Sequence, residues 1–218
     1  RGSGDRGWLQ RTGIGLAAPR RLAAGGARVL ALGIDATANA ALDAAATRDG
    51  LSLASRLTDV ADEAAVAAAV DECLARHGGL DIIVNAAAVH PYGTVLDTDA
   101  GTWARAMAVN VGSIHLTGRF GIPAMTARGG GAIVNLSSVQ GHACQQGVAA
   151  YVATKGAIHA LTRAMALDHA AAGIRVNSIS PGSVRTPILA LAAQMLGGDG
   201  ISEAEAFARF GAAHPLGR

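Results

Sequence analysis

Lysine is almost missing from this chain. Of its 18 basic residues, 17 are arginine and one, Lys155, is lysine. Arginine dominance reads first as the codon bias of a GC-rich genome, which leaves the survival of a single lysine to be explained. Cysteine is scarce too. Two residues, Cys73 and Cys144, make neither a disulfide framework nor a metal site and point to a reducing, cytoplasmic setting. Aromatic residues are 3% of the chain. No apolar run approaches the ~18 residues of a membrane helix, so no membrane partner is expected. A net charge of +2 is too small and too evenly spread for an electrostatic nucleic-acid surface. Residues 1–11 are polar and glycine-rich, unlike a secretory leader.

What is abundant is small: 50 alanines and 29 glycines in 218 residues. That length suits a single domain. Short runs rich in Val, Ile and Leu at 27–34, 51–57, 80–86, 131–137 and 174–180 read as strands covered on both faces. Helical composition fills 14–25, 38–48, 61–77, 98–128 (as two helices) and 149–172. This alternation predicts βαβ units, a parallel sheet and right-handed crossovers. Residues 1–11 contain no apolar strand and HPLGR at 214–218 closes without one, so the first and last strands are expected to be missing or degenerate. Beyond 187 the pattern is helical and glycine-broken, as a mobile flap over 187–212 would be. Its Met and Leu residues at 189–196 either cover a substrate or pack on the core.

Tyr151 and Lys155 stand four apart in a predicted helix, on one face. A phenol with a pKa near ~10 is a poor acid or base at neutral pH, and an ammonium held close favours its phenolate. The surrounding sequence, AAYVATKGAIHALTRAMAL, is largely apolar, which argues against an ordinary solvated polar pair. Ser138 follows the strand IVNLS, at the strand edge where ligands gather in open α/β sheets. Its hydroxyl either steadies a substrate carbonyl or caps a turn. Asn110 is either the site of a helix kink or an anchor in a proton relay. No metal-ligand spacing is visible among the seven histidines.

The order Asn110, Ser138, Tyr151, Lys155, together with VNAAA (84–88), AVNVGS (108–113), IVNLSS (133–138) and PGSVRTP (181–187), resembles the short-chain dehydrogenase/reductase family over about residues 13–216. The resemblance implies a Rossmann-like, doubly wound α/β fold with a parallel sheet and helices on both faces, one incomplete NAD(P)-binding domain over 1–218. It implies that Tyr151 is the general acid/base and that Lys155 lowers its pKa and binds the nicotinamide ribose. Ser138 then steadies the substrate oxygen, and Asn110 holds a water linking Lys155 to solvent. For the cofactor it points to Gly13, Ile14 and Gly15 at the phosphates, Asp59 with Val60 at the adenine, and Asn85 with Ala86 in the following turn. Pro181, Gly182, Val184 and Thr186 pass the nicotinamide. A homo-oligomer is expected, since relatives commonly form tetramers.

Three departures stand out. Trp8 and Leu9 occupy the places of the Thr and first Gly of the phosphate loop. Gly33 stands where an acid would select NAD, with Asp35 two residues later, and no arginine there attracts a 2′-phosphate, so the expectation leans to NAD over NADP. Asp59 also has an ordinary role open to it, as N-cap of the helix at 61–77. His90, Tyr92, Gln140, His142, Cys144, Gln145 and Gln146 either ring the substrate or are solvated loop residues. Amides and imidazoles suit a polar alcohol or ketone, a sugar or polyol among them. The expected function is thus hydride transfer between a nicotinamide and a small-molecule secondary alcohol or ketone. The competing expectation is an impaired fragment serving only as a packing domain. An extended-branch epimerase fits less well, because the chain lacks a sizeable substrate domain.

Overall fold

The structure is a computed structural model that describes residues 13–184, 186 and 202–212. Five parallel strands form where the apolar runs lie: β1 (Val29–Gly33), β2 (Leu53–Leu57), β3 (Ile82–Asn85), β4 (Gly131–Leu136) and β5 (Ile174–Ile179). The helices between them are α1 (Ile14–Ala24), α2 (Ala36–Arg48), α3 (Glu63–His77), α4 (Ala100–Met107), α5 (Ser113–Ala127) and α6 (Ala149–His169), and α7 (Glu203–Ala212) follows. Of the flap expected at 187–212, residues 187–201 lie outside the described residues.

Local chemistry sets the helix starts. Asp35, Asp62 and Asp99 each accept a hydrogen bond from the N–H three residues on, at Ala38, Ala65 and Thr102. Each fills one of the donors a helix start leaves open. The cap of α3 is therefore Asp62 and not Asp59. The stretch 98–128 also differs from expectation: α4 runs into α5 through a π-helical turn, Ala108–Gly112, without a break.

The main core lies between β3–β4–β5 and the helices α5 and α6. Ile114, Met125, Ile133, Ile158, Met165, Ile174 and Val176 are buried together there. The register lines up Ile83, Ile133 and Val176 across three strands, one row of this wall. Helix α5 comes close enough that a Cβ at Gly121 would stand 2.6 Å from Ile83 Cδ1, so a larger residue there would push helix from sheet. Beside this core runs a polar ladder. Asn85 Nδ2 donates to Asn135 Oδ1, Asn135 Nδ2 to Thr162 Oγ1, and Thr117 Oγ1 to Asn85 Oδ1. It ties β3, β4, α5 and α6 together with its buried amides satisfied.

Among the described residues the sheet is in two pieces, β1–β2 and β3–β4–β5. A cavity of about 480 Å³ separates them, walled by Val29–Gly33 on one side and Ile82–Asn85 on the other. Beyond it the chain moves outward in both directions, β1 to β2 and β3 to β5. Right-handed crossovers then place α2 on one face and α3, α5 and α6 on the other. This is the doubly wound arrangement, with the gap between β1 and β3 at its centre among the described residues.

Candidate active site

At the C-terminal ends of β3 and β4 the chain brings together Ser138, Tyr151 and Lys155. Helix α6 buries Tyr151, Thr154, Lys155, Ile158, Thr162 and Met165 along one face. Its first two turns thus face the strand ends while its later turns build the core. The Lys155 ammonium reaches past the phenol, with Nζ 5.2 Å from the Tyr151 ring centre, and donates to Leu136 O at 2.8 Å. With 3% of its surface exposed, it is desolvated, and its pKa falls from 10.5 to about 8. Ser138 hydrogen-bonds the Tyr151 hydroxyl and also accepts from Gln140 N at 3.1 Å. It is both a turn cap and a partner of the phenol.

The expected direction of the Tyr151 shift is reversed. Burial raises the phenol above its ordinary value, and the Ser138 hydrogen bond, which favours the phenolate, only partly offsets this; Tyr92 nearby raises it further. Desolvation acts on both members of the pair and favours their neutral forms, a cost that helical spacing does not reveal.

Asn110 sits in the π turn and is 1% exposed. Its Oδ1 accepts from Val89 N at 2.7 Å, and its Nδ2 donates to Val89 O and to Thr154 Oγ1. Thr154 in turn donates to Tyr151 O. The helix is distorted at this residue, and the side chain clamps the loop after β3 to the helix that carries Tyr151. Both of its amide protons are engaged.

His159 was not foreseen. It lies one turn beyond Lys155, with Nε2 3.0 Å from Ser137 Oγ and Nδ1 3.2 Å from Ser178 Oγ. Ser137 already donates its proton to Lys155 O, so Nε2 carries the imidazole hydrogen and Nδ1 accepts from Ser178. Gly141 rests on this ring, where a Cβ would come within 2.8 Å. His159 therefore pegs the Val139–Gly141 turn that follows Ser138. The available signal was the repeat of four, Tyr151, Lys155, His159.

The expected substrate residues divide. His90 lies against Tyr151, ring centres 4.0 Å apart, and Tyr92 lies 4.8 Å from His90. Burial lowers the pKa of His90 and keeps the imidazole neutral. Gln140 Nε2 donates to Gln145 Oε1 at 2.8 Å. Four polar atoms of this group, His90 Nδ1, Tyr92 Oη, Gln140 Oε1 and Gln145 Nε2, are buried without a hydrogen-bond partner. His142 turns elsewhere, stacking on His159 at 4.1 Å and approaching Ser180, so the substrate role expected for it is not supported.

The residues expected to hold a nicotinamide dinucleotide also divide. Gly13 precedes α1, Leu16 N and Ala17 N both turn back to Gly13 O, and nothing lies within 4 Å of a Cβ placed on Gly13. Among the described residues nothing covers the amides of Ile14 and Gly15 at the head of this helix, which fits a phosphate. Gly15 lies against Ala86. Asp59 and Val60 line the cavity beside them. Partial burial opposes the Asp59 charge, but the Ala61 amide and Arg105 outweigh it and hold its pKa low. Asp35 caps α2, and Asn85 is locked in its ladder, so neither side chain is free in the way expected. Pro181 O accepts from Val139 N, joining the segment after β5 to the Ser138 turn; Val184 N returns to Gly182 O, and Thr186 lies just beyond. These residues fit the cofactor at its phosphates and adenosine end.

The family model described as "Enoyl-(Acyl carrier protein) reductase" matches residues 7–218. The chain belongs to the short-chain dehydrogenase/reductase family. The 2-keto-3-deoxy-L-fuconate dehydrogenase of Xanthomonas campestris pv. campestris is 38% identical over 209 residues, 94% of this chain and 65% of that relative. This member of the family thus spans about two thirds of that protein's length. A crystal structure of NAD+-bound xylitol dehydrogenase superposes with a TM-score of 0.86 at 29% identity, covering 94% of this chain and 82% of that one. Actinorhodin polyketide ketoreductase with NADPH gives a TM-score of 0.89 at 30% identity, covering 94% and 80%.

Proposed function

We propose that this short-chain dehydrogenase/reductase interconverts a secondary alcohol and its ketone, with Tyr151 as the proton-transferring group. The observation that carries the reading is the buried triangle of Ser138, Tyr151 and Lys155 at the strand ends. A bound NAD or NADP would supply the hydride acceptor or donor; the residues to hold it are Gly13, Ile14, Gly15, Asp59, Val60 and Ala86, with Lys155 at the nicotinamide end. In the oxidation direction Tyr151 acts from its phenolate form and takes the substrate hydroxyl proton to become the phenol, while Ser138 Oγ steadies the same oxygen. In reduction the neutral phenol, which burial favours, returns that proton to the developing alkoxide. Lys155 holds its charge beside the phenol, and Asn110 keeps the Val89 loop fixed to α6. The lean to NAD rests only on the absence of an arginine near Gly33.

The substrate class we infer is polyhydroxylated. Four buried, unpartnered polar atoms, on His90 and Tyr92 near Tyr151 and on Gln140 and Gln145 in the turn after Ser138, are costly unless a ligand supplies hydrogen bonds, and a polyol or sugar acid offers several. The relatives named for xylitol and for a deoxy sugar acid support this choice. The test is a panel of pentitols, hexitols and sugar acids with NAD+ or NADP+, followed at the reduced nicotinamide absorbance. Turnover with at least one of them, lost in Tyr151→Phe, is the expected result; undiminished turnover in that variant removes the mechanism. A second reading is a chain that binds cofactor poorly and serves as a packing domain; the break between β1 and β3 among the described residues favours it. Calorimetric titration separates the two, since submillimolar binding of either dinucleotide rejects the second.

A further inference from the structure

Lys155 is held at both ends by neighbouring residues of one strand end. Its ammonium donates to Leu136 O at 2.8 Å, and its carbonyl accepts from Ser137 Oγ at 2.8 Å. Ser138, the next residue, is the partner of the Tyr151 hydroxyl. Three consecutive residues thus place the lysine and the serine around the phenol, and Ser137 is the middle one. Ser137 N also donates to Ile179 O of β5, so this residue ties β4, β5 and α6 together. It is buried, and its hydroxyl depends on partners within the protein.

A hydroxyl is a rotor with one proton and two lone pairs. What aims this one at Lys155 O is His159. Its Nε2–H meets Ser137 Oγ at 3.0 Å and fills a lone pair, while Nδ1 accepts from Ser178 Oγ at 3.2 Å and fixes the tautomer. Ser180 Oγ lies farther from Nε2, at 3.4 Å. A one-way chain of hydrogen bonds results: Ser178 to His159, His159 to Ser137, Ser137 to Lys155 O. The ring has little room to turn. His142 stacks on it at 4.1 Å, and a Cβ on Gly141 would come within 2.8 Å of Nε2 and of Lys155 O alike. Burial, the stacked His142 and the cations Arg163 and Lys155 favour the neutral imidazole, opposed by a hydrogen bond to the Ser138 backbone.

We propose that His159 is a positioning residue for proton transfer at Tyr151. Its Nε2–H bond to Ser137 Oγ locks the Leu136–Ser138 strand end to α6, and with it the places of the Lys155 ammonium and the Ser138 hydroxyl. This role rests on the reading of Tyr151 as the proton-transferring group. Without the bond the Ser137 hydroxyl is free to turn from Lys155 O, and the strand end shifts against the helix. Phenol, ammonium and serine then keep their chemistry but lose their alignment, which slows the chemical step more than it weakens substrate binding.

The test is a set of variants of the full chain, assayed with the polyol or sugar acid that the parent turns over. His159→Phe keeps a ring beneath Gly141 and loses both nitrogens; His159→Gln loses the ring and restores an N–H within reach of Ser137. The Phe variant is expected to lose about 10-fold or more in kcat with KM changed less than about twofold, and the Gln variant to recover most of it. A ring that merely packs predicts the reverse order, so full kcat in the Phe variant, or no gain from Gln, overturns the proposal. Ser137→Ala removes the acceptor, and adding His159→Phe to it leaves neither half of that bond stranded. The double variant should be slower than Ser137→Ala by less than about twofold; losses that multiply overturn the proposal. Ring ¹⁵N shifts check the bond without turnover. His159 should be the Nε2–H tautomer, and the Nδ1–H tautomer overturns the proposal. With a parent that turns over no alcohol, the Tyr151 reading is what fails, and the tautomer still decides whether the bond exists.

Discussion

The two pieces of the sheet are made of much the same residues and are packed very differently. In β4 and β5, Ile133, Ile174 and Val176 meet α5 and α6 in one buried cluster, although Ile82 of β3 and Ile179 of β5 stay exposed. In β1–β2, no residue but Gly33 is buried, although Val29, Leu30, Leu32, Leu53 and Leu57 are as apolar as their counterparts. Composition qualifies a segment for a core; a core forms where a neighbouring element covers it. The candidate catalytic side chains are mounted on the packed half. The candidate phosphate-binding turn at Gly13 borders the more exposed one.

The contrast can be broken in order of effect. Tyr151→Phe, on the packed half, should lower turnover by about 10²–10⁴-fold with the far-ultraviolet circular dichroism unchanged; a matching loss of structure would make the residue a packing element. Ile158→Ala should cost roughly 2–5 kcal/mol in urea unfolding, and Ile82→Ala at the gap less than about 1 kcal/mol. Equal costs would show that the halves are equally packed.

The buried lysine yields a pH test. Between pH 8 and 10.5 the unfolded chain still holds the proton that folded Lys155 has shed, so stability rises with pH across that window. Below pH 8 the full cost of burying the ammonium, roughly 3 kcal/mol, is present. Wild type should therefore gain on Lys155→Met by about that amount from pH 8 to 10.5; a constant difference between the two would mean that the ammonium is solvated. A smaller effect is expected at the polar ladder. Asn135→Leu strands Asn85 and Thr162 and should cost about 1–3 kcal/mol. Asp62→Ala, removing the α3 cap, should cost about 1 kcal/mol.

The five strands, the helices between them and the Ser138–Tyr151–Lys155 set were legible because they rest on local spacing: runs of apolar residues, and side chains four apart on one helix. What escaped depends on contacts distant in sequence. Asn110 meets Val89 in the loop after β3 and Thr154 in α6, and Gly112 alone does not mark the passage of α4 into α5 through a π turn. His159 matters through Ser137 and Ser178, which come from two strand ends. The Tyr151 phenol is raised because burial, set by the whole fold, outweighs Ser138, and spacing along a helix does not show burial. Asp59 and Asp62 are both plausible caps three residues apart, and only the bond to Ala65 N tells them apart.

The single lysine gives the molecule one ε-amine in 218 residues. Amine-directed chemistry at a lysine side chain can thus happen at one place only, and that place is closed. A small acylating or reductively methylating reagent reaches Lys155 only when the strand ends part, so its labelling rate counts openings of the site. A ¹³C-methyl group installed there would report, as one resonance free of overlap from other lysines, the protonation and surroundings of the amine beside Tyr151.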